Sequence, residues 1–295
     1  MRAQLLRYGT KLYWRARLAK NRVAVNTPIT VTRSIAYTSR PHKSHKLDIY
    51  RPAQLTGALP VIIFIHGGGF IMGDKHERRD ICRELAAKRF AVFVINYRLS
   101  PKHAFPAAAV DTLRALAWVK NHASTYGGDP DNISLVGDSS GAHIAAIATC
   151  AVDSPALQKA WQLDFTPSVR PNKLVLYYGL YNLRSVLRVK RKYFKTYIGA
   201  YTGTQKFDNY SLMDYFSPVD HISPAFPRTL LIASETDPLC DQTIEMTERL
   251  KQNGTSTQSL ILHKNDYPVA PHGFLVDANT PAARKAFMIM CNFLQ

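Results

Sequence analysis

Residues 133–142 read Ile-Ser-Leu-Val-Gly-Asp-Ser-Ser-Gly-Ala. Four residues suited to a buried strand run into Gly137-Asp138-Ser139-Ser140-Gly141, and the chain beyond turns alanine-rich. Strand, tight corner and helix in that order are the building unit of a layered α/β protein. A serine at the apex of such a corner presents its hydroxyl above the sheet. Ser139, not Ser140, has a glycine two positions away on each side. Those glycines let strand and helix approach closely around a strained residue. The start of the following helix offers free N–H groups and a positive dipole end to a developing oxyanion. The plain alternative is a serine that only caps a helix. The flanking strand and helix favour the nucleophile.

Outward from the corner, strand-like and helix-like patterns alternate. Val61–Ile65 and Ala91–Tyr97 are continuous apolar runs, as expected of strands buried on both faces. Asn132–Gly137, Lys173–Tyr178, Arg228–Ser234 and Gln258–His263 continue the series, and Val31–Tyr37 with Lys46–Arg51 suggests an edge or hairpin pair. Helical patterns fall at about 3–20, 75–89, 106–123, 140–151, 241–253 and 281–294. The expectation is a mostly parallel central sheet of about eight strands with helices on both faces, in one domain over 1–295. The interval from about 180 to 218 breaks the alternation and is too long for a connecting loop, so it reads as an insertion over one end of the sheet. Within it Tyr193, Tyr197 and Tyr201 fall on one side of a helix, a stripe expected to serve core packing.

The chain has 295 residues, 46% of them hydrophobic and 20% charged, the composition of an ordinary globular protein. Its net charge of +17 is unevenly spread. Residues 1–51 hold 12 Lys or Arg against one acid, Asp48, and residues 165–207 hold nine against none. The remainder is near neutral, with 17 basic and 20 acidic side chains. Cys82, Cys150, Cys240 and Cys291 are widely spaced with no C-x-x-C pair, which predicts buried free thiols rather than a zinc site or disulfide framework. Apolar runs are of strand length, and Arg7, Lys11, Arg15 and Arg17 interrupt the N-terminal segment, which argues against a spanning helix and a cleaved secretory signal. A cytoplasmic protein is the resulting expectation.

His66-Gly67-Gly68-Gly69-Phe70 follows the strand Val61–Ile65. Successive glycines let backbone N–H groups point into a cavity, which an oxyanion hole requires. A phosphate-binding loop of the Gly-Lys-Ser/Thr kind is excluded by the residues that follow. His66 itself reads as structural. A serine hydroxyl needs a base, and the base an orienting carboxylate. Asp237, after the strand Arg228–Ser234, and His272, in a Pro- and Gly-marked loop before the last helix, supply both. Asp241 or Glu235 are alternative acids and His263 an alternative base. His143 lies one helical turn past the nucleophile with no role assigned, and His42 with His45 is too little for a metal site.

With these residues in place the chain resembles the hormone-sensitive-lipase-like family of α/β-hydrolases, many of them bacterial carboxylesterases. The matching pieces are HGGGF at 66–70, YRLSP at 97–101, FPAAAVD at 105–111, Asp129-Pro130-Asp131, GDSSG at 137–141, DPLCD at 237–241 and HGF at 272–274. The resemblance implies a triad of Ser139, Asp237 and His272, and oxyanion donors from the N–H groups of Gly68, Gly69 and Ser140. Ser140 stands where the family most often has alanine, which leaves the backbone donor intact. The resemblance also implies a cap built from about 1–45 and about 180–218, the two strongly basic segments.

The expected activity is hydrolysis of short- to medium-chain carboxylic esters through an acyl-enzyme, without metal or organic cofactor. Amides, thioesters or formamides are alternatives by the same triad, and a non-catalytic binding protein on this fold is a third. The basic cap suggests contact with an anionic membrane surface, Leu5, Leu12 and Trp14 entering the interface, and no specific nucleic acid. No signature of an oligomer interface is present.

Overall fold

The structure, a computed structural model, describes residues 16–18, 23–39, 42–54, 56–189 and 192–295. Eight strands form one sheet: β1 (Ile29–Ala36), β2 (Lys46–Pro52), β3 (Leu59–Ile65), β4 (Ala91–Ile95), β5 (Gly128–Asp138), β6 (Lys173–Tyr177), β7 (Arg228–Ser234) and β8 (Thr257–Leu262). Their order across the sheet is β1-β2-β4-β3-β5-β6-β7-β8. β1 and β2 are antiparallel, and β2 runs antiparallel to β4. From β4 to β8 every pairing is parallel. The expected eight-strand, mostly parallel sheet is present.

Alternation along each strand divides the core. Ile62, Phe64, Val92, Val94, Val136 and Val175 face α1 (Arg79–Ala87) and α8 (Pro281–Leu294). Their neighbours Ile63, Ile65, Phe93, Leu135 and Leu174 face the other layer. That layer contains α2 (Ala107–His122), α3 (Ser140–Val152) and α7 (Cys240–Gln252). Side chains buried on both sides explain why β3 and β4 read as unbroken apolar runs.

A short helix, α4 (Pro155–Ala160), went unread in the sequence although its start carries a signal: Ser154 Oγ accepts from the Leu157 N–H at 3.2 Å and Pro155 opens the first turn. The inserted segment contains α5 (Leu183–Val186), α6 (Lys192–Thr202) and three short 3-10 turns. The edge pair expected from Val31–Tyr37 and Lys46–Arg51 is β1 and β2, with β1 at Ile29–Ala36 on the edge of the sheet. The helix expected over 3–20 lies outside the described residues apart from a helical turn at 16–18, and so do Leu5, Leu12 and Trp14.

All four cysteines are free and buried. Among the described residues no helix is long and apolar enough to cross a membrane, and no group of three or more His, Cys, Asp or Glu side chains is arranged to hold a metal ion.

Candidate active site

Loops at the carboxyl ends of β3, β5, β6 and β7, with the loop before α8, converge on one region, where ligands bind in open parallel sheets. β5 lies between β3 and β6, and the corner at its end carries Ser139 with φ +54° and ψ −118°. That backbone is unfavourable for a residue with a Cβ. The Ser139 N–H donates to Tyr177 O at 2.9 Å, and the carbonyl accepts from the Ala142 and His143 N–H groups at 3.0 and 3.3 Å. Gly141 fits because a Cβ there would strike the Ile65 carbonyl on β3.

Ser139 Oγ lies 2.8 Å from His272 Nε2, and His272 Nδ1 lies 2.7 Å from Asp237 Oδ2. Asp237 is fully enclosed, and its other oxygen accepts the Leu239 N–H at 2.8 Å. A carboxylate at Nδ1 selects the imidazole tautomer with its free nitrogen toward the serine. The Thr236 hydroxyl donates to Ala270 O at 2.7 Å and ties the Asp237 loop to the His272 loop. Tyr178 packs its ring edge-on against His272 with centroids 5.0 Å apart. The alternative residues go elsewhere: His263 pairs with Glu235 at 3.0 Å on the surface, and Asp241 is exposed on the first turn of α7.

A cavity of about 110 Å³ opens onto Ser139 and His272. Gly68, Gly69 and Ser140 border it, and Leu180, Tyr193, Phe194, Tyr197, Ile198 and Leu239 supply most of its apolar wall. Gly68 and Gly69 have φ of +135° and +58°, which a glycine tolerates at little cost. The glycine loop is held from below by His66, whose Nδ1 donates to Gly67 O at 2.9 Å and whose ring stacks on Tyr97. Burial pushes the His66 pKa down to about 4, so the ring is neutral and structural, as expected.

Residues to which the sequence assigned no role complete the site. Asp138, between Gly137 and Ser139, accepts from the Gly67 N–H at 3.0 Å. The Arg78 guanidinium grips the same carboxylate, Nε to Oδ1 at 2.8 Å and a terminal nitrogen to Oδ2 at 2.6 Å. Arg78 thereby ties the far end of the glycine loop to the residue before Ser139. His143 donates from Nδ1 to Leu180 O at 2.9 Å and lies among Phe70, Tyr201 and Phe216. Burial drives its pKa to about 3. A helical position one turn past Ser139 was visible, but not the carbonyl it would meet.

The tyrosine stripe divides its labour. Tyr201 is buried and stacks on Phe70 at 3.7 Å, with ring planes 5° apart. Tyr193 and Tyr197, expected to pack, line the cavity instead because α6 runs across its mouth. YRLSP and FPAAAVD are joined by one ion pair: Arg98 donates from its N–H and its guanidinium to Asp111, which also bonds His45 Nε2 at 3.0 Å. Burial raises the Asp111 pKa, but His45 and Arg98 outweigh it and hold the carboxyl below its ordinary value.

The strand order, with helices on both faces of a mostly parallel sheet, defines the α/β-hydrolase fold. A family model described as BD-FAE matches residues 47–251, and the chain belongs to that family, within the hormone-sensitive-lipase-like α/β-hydrolases. Among curated proteins it is 30% identical over 254 residues to a probable carboxylic ester hydrolase, LipM, of Mycobacterium tuberculosis, covering 84% of this chain and 57% of that one. It is 29% identical over 237 residues to the esterase LipQ of the same organism, covering 79% and 55%. The chain thus spans little more than half the length of these relatives. Among solved structures it resembles esterase B of Lactobacillus rhamnosis, with a TM-score of 0.88 at 22% identity over 99% of this chain and 93% of that one. A hyperthermophilic esterase of Pyrobaculum calidifontis gives 0.77 at 23% identity over 99% and 92%.

Proposed function

We propose that this chain hydrolyses carboxylic esters of short to medium acyl length through an acyl-enzyme on Ser139. The unbroken relay Asp237–His272–Ser139, with gaps of 2.7 and 2.8 Å, carries the reading. Its family and the names of its curated relatives support it. His272 Nε2 takes the Ser139 proton as Oγ attacks the carbonyl carbon. The N–H groups of Gly68, Gly69 and Ser140 stabilise the oxyanion, a contribution of about 10²–10³ in rate for one such donor. The imidazolium, steadied by Asp237, gives its proton to the leaving alcohol, and water repeats the sequence to release the acid. The chain acts as one α/β-hydrolase domain, with the inserted segment over about 180–218 as part of its cap.

The same relay serves amides, thioesters and formamides, so the apolar wall from α6 and Leu239 favours the ester reading only through the acyl group it admits. The test is a series of p-nitrophenyl esters of increasing acyl length, assayed with wild type and Ser139→Ala side by side. Activity is expected to peak at a short chain and to fall to background in the variant. Undiminished activity in Ser139→Ala overturns the triad. The basic segments also suggest an anionic membrane surface as partner. Sedimentation with anionic vesicles at low salt, reversed by added salt, is the expected behaviour, and a protein that stays in the supernatant at low salt ends that idea.

A further inference from the structure

We propose that Arg17 is a positioning residue for the loop that presents His272, so that turnover depends on this side chain from the N-terminal segment. The proposal rests on the relay described above.

Arg17 lies in the helical turn at 16–18, far in sequence from the site, yet its side chain is only 11% exposed. Its Nε donates to Asp277 Oδ1 at 2.7 Å, and one terminal nitrogen bonds the other Asp277 oxygen. The second terminal nitrogen donates to the carbonyl oxygen of His272 itself at 3.2 Å. One planar group therefore holds a carboxylate by both oxygens and, at the same time, the peptide unit that carries the base. Only the guanidinium fork has donors in directions that allow this.

Arg17 meets the loop where its backbone turns. The peptide that follows His272 leads into Gly273, whose φ of +80° belongs to a residue free to turn. Within the loop, short-range bonds run from Phe274 N–H to Pro271 O, Val276 N–H to Gly273 O and Asp277 N–H to Phe274 O. They shape the turn, and Phe274 seats it on the core with its buried ring against Tyr177 and Tyr178. On the N-terminal side of His272 the anchor is Thr236 on Ala270. On the C-terminal side Arg17 takes that part by gripping Asp277 and His272 together. Rotation of the His272 carbonyl would carry the imidazole away from Ser139 Oγ. A nearly buried ion pair adds little net stability, so what this one supplies is geometry.

The experiment uses the full chain, with rates expressed per active site titrated by a p-nitrophenyl alkylphosphonate, so that misfolded molecules drop out. Arg17→Ala is expected to lower kcat on p-nitrophenyl butyrate roughly ten- to a hundredfold, the range for a displaced catalytic group. KM should stay within about twofold, since substrate binding is untouched. Arg17→Lys is expected to retain an intermediate kcat. Guanidinium chloride at millimolar concentration should restore part of the Arg17→Ala rate, where sodium chloride does not. Wild-type kcat per site in Arg17→Ala overturns the proposal. So does a loss that appears mainly in KM, or one that neither lysine nor guanidinium recovers. If Arg17→Ala yields no titratable protein, Asp277→Asn, which keeps the shape and removes the charge, is judged by kcat and KM alone: a wild-type kcat per site, or a loss mainly in KM, overturns the proposal. A fully active Ser139→Ala defeats the relay and this proposal together. An inactive Ser139→Ala beside a fully active Arg17→Ala defeats the Arg17 role alone.

Discussion

Arg78 and Asp138 show how a buried charge pair can serve a site without touching chemistry. Arg78 is nearly enclosed and spends two guanidinium nitrogens on Asp138, while Asp138 also accepts the Gly67 N–H. Arg78→Met would leave a buried carboxylate without its counter-charge, a loss typically costing about 3–5 kcal/mol. A urea titration should show it, and kcat should fall with it because the glycine loop loses its tie to Ser139. An unchanged denaturation midpoint would contradict this account. His143 is a second such residue. Its Nδ1 holds the Leu180 carbonyl at the start of the inserted segment from the helix behind Ser139. Neither role was legible in the sequence. Ser139, Asp237 and His272 stood out because local turn chemistry marks each. Arg78 and Asp138 are 60 residues apart, and no local rule pairs an arginine after one strand with the residue before a corner on another.

At the scale of elements, the corner depends on β3, β5 and α3 approaching closely. A methyl group at Gly141 would press on the Ile65 carbonyl, which belongs to a central strand and has nowhere to move. Gly141→Ala is therefore expected to destabilise by at least about 1–3 kcal/mol, as overpacking does, and a thermal melt measures it. Helix α6 of the inserted segment depends on Tyr201. The Tyr201 ring stacks on Phe70 of the glycine loop, and its carbonyl accepts the Phe105 N–H at 2.7 Å. Tyr201→Ala should cost about 3–5 kcal/mol, as truncation of a buried aromatic does. It should also broaden the acyl-length profile, since Tyr197 and Ile198 lose their footing beside the cavity. A profile identical to wild type would show that α6 does not bound the acyl group. The strands were legible to within a few residues because burial on both faces leaves an unbroken apolar run. The stripe at Tyr193, Tyr197 and Tyr201 was legible as a helix face but not as a cavity wall, because what a face meets is decided by other elements.

For the whole molecule, two buried neutral histidines set the response to acid. Burial lowers His66 to about 4 and His143 to about 3, against an ordinary value of 6.5. Below pH 6.5 the unfolded chain binds protons that the folded chain refuses. Stability from both residues is thus complete above pH 6.5 and is lost as pH falls toward about 4 for His66 and about 3 for His143. The urea midpoint should drop between pH 7 and pH 4 in wild type. It should drop less in His143→Asn, whose amide can still donate to Leu180 O. Equal slopes in the two proteins would remove His143 from the account. The +17 charge adds to this trend, since protonating the acids that offset it increases self-repulsion.

The backbone of Ser139 has an engineering consequence. At φ +54° any residue with a Cβ is strained, by about 1–3 kcal/mol, whereas glycine is not. The ordinary ranking, in which alanine makes a more stable protein than glycine by about 0.5–1 kcal/mol, should therefore reverse at this one position. Ser139→Ala and Ser139→Gly are expected to differ in melting temperature with the glycine form the higher. If Ser139 is the nucleophile proposed above, the corner would be a place where selection for turnover has kept the protein less durable than its own fold allows.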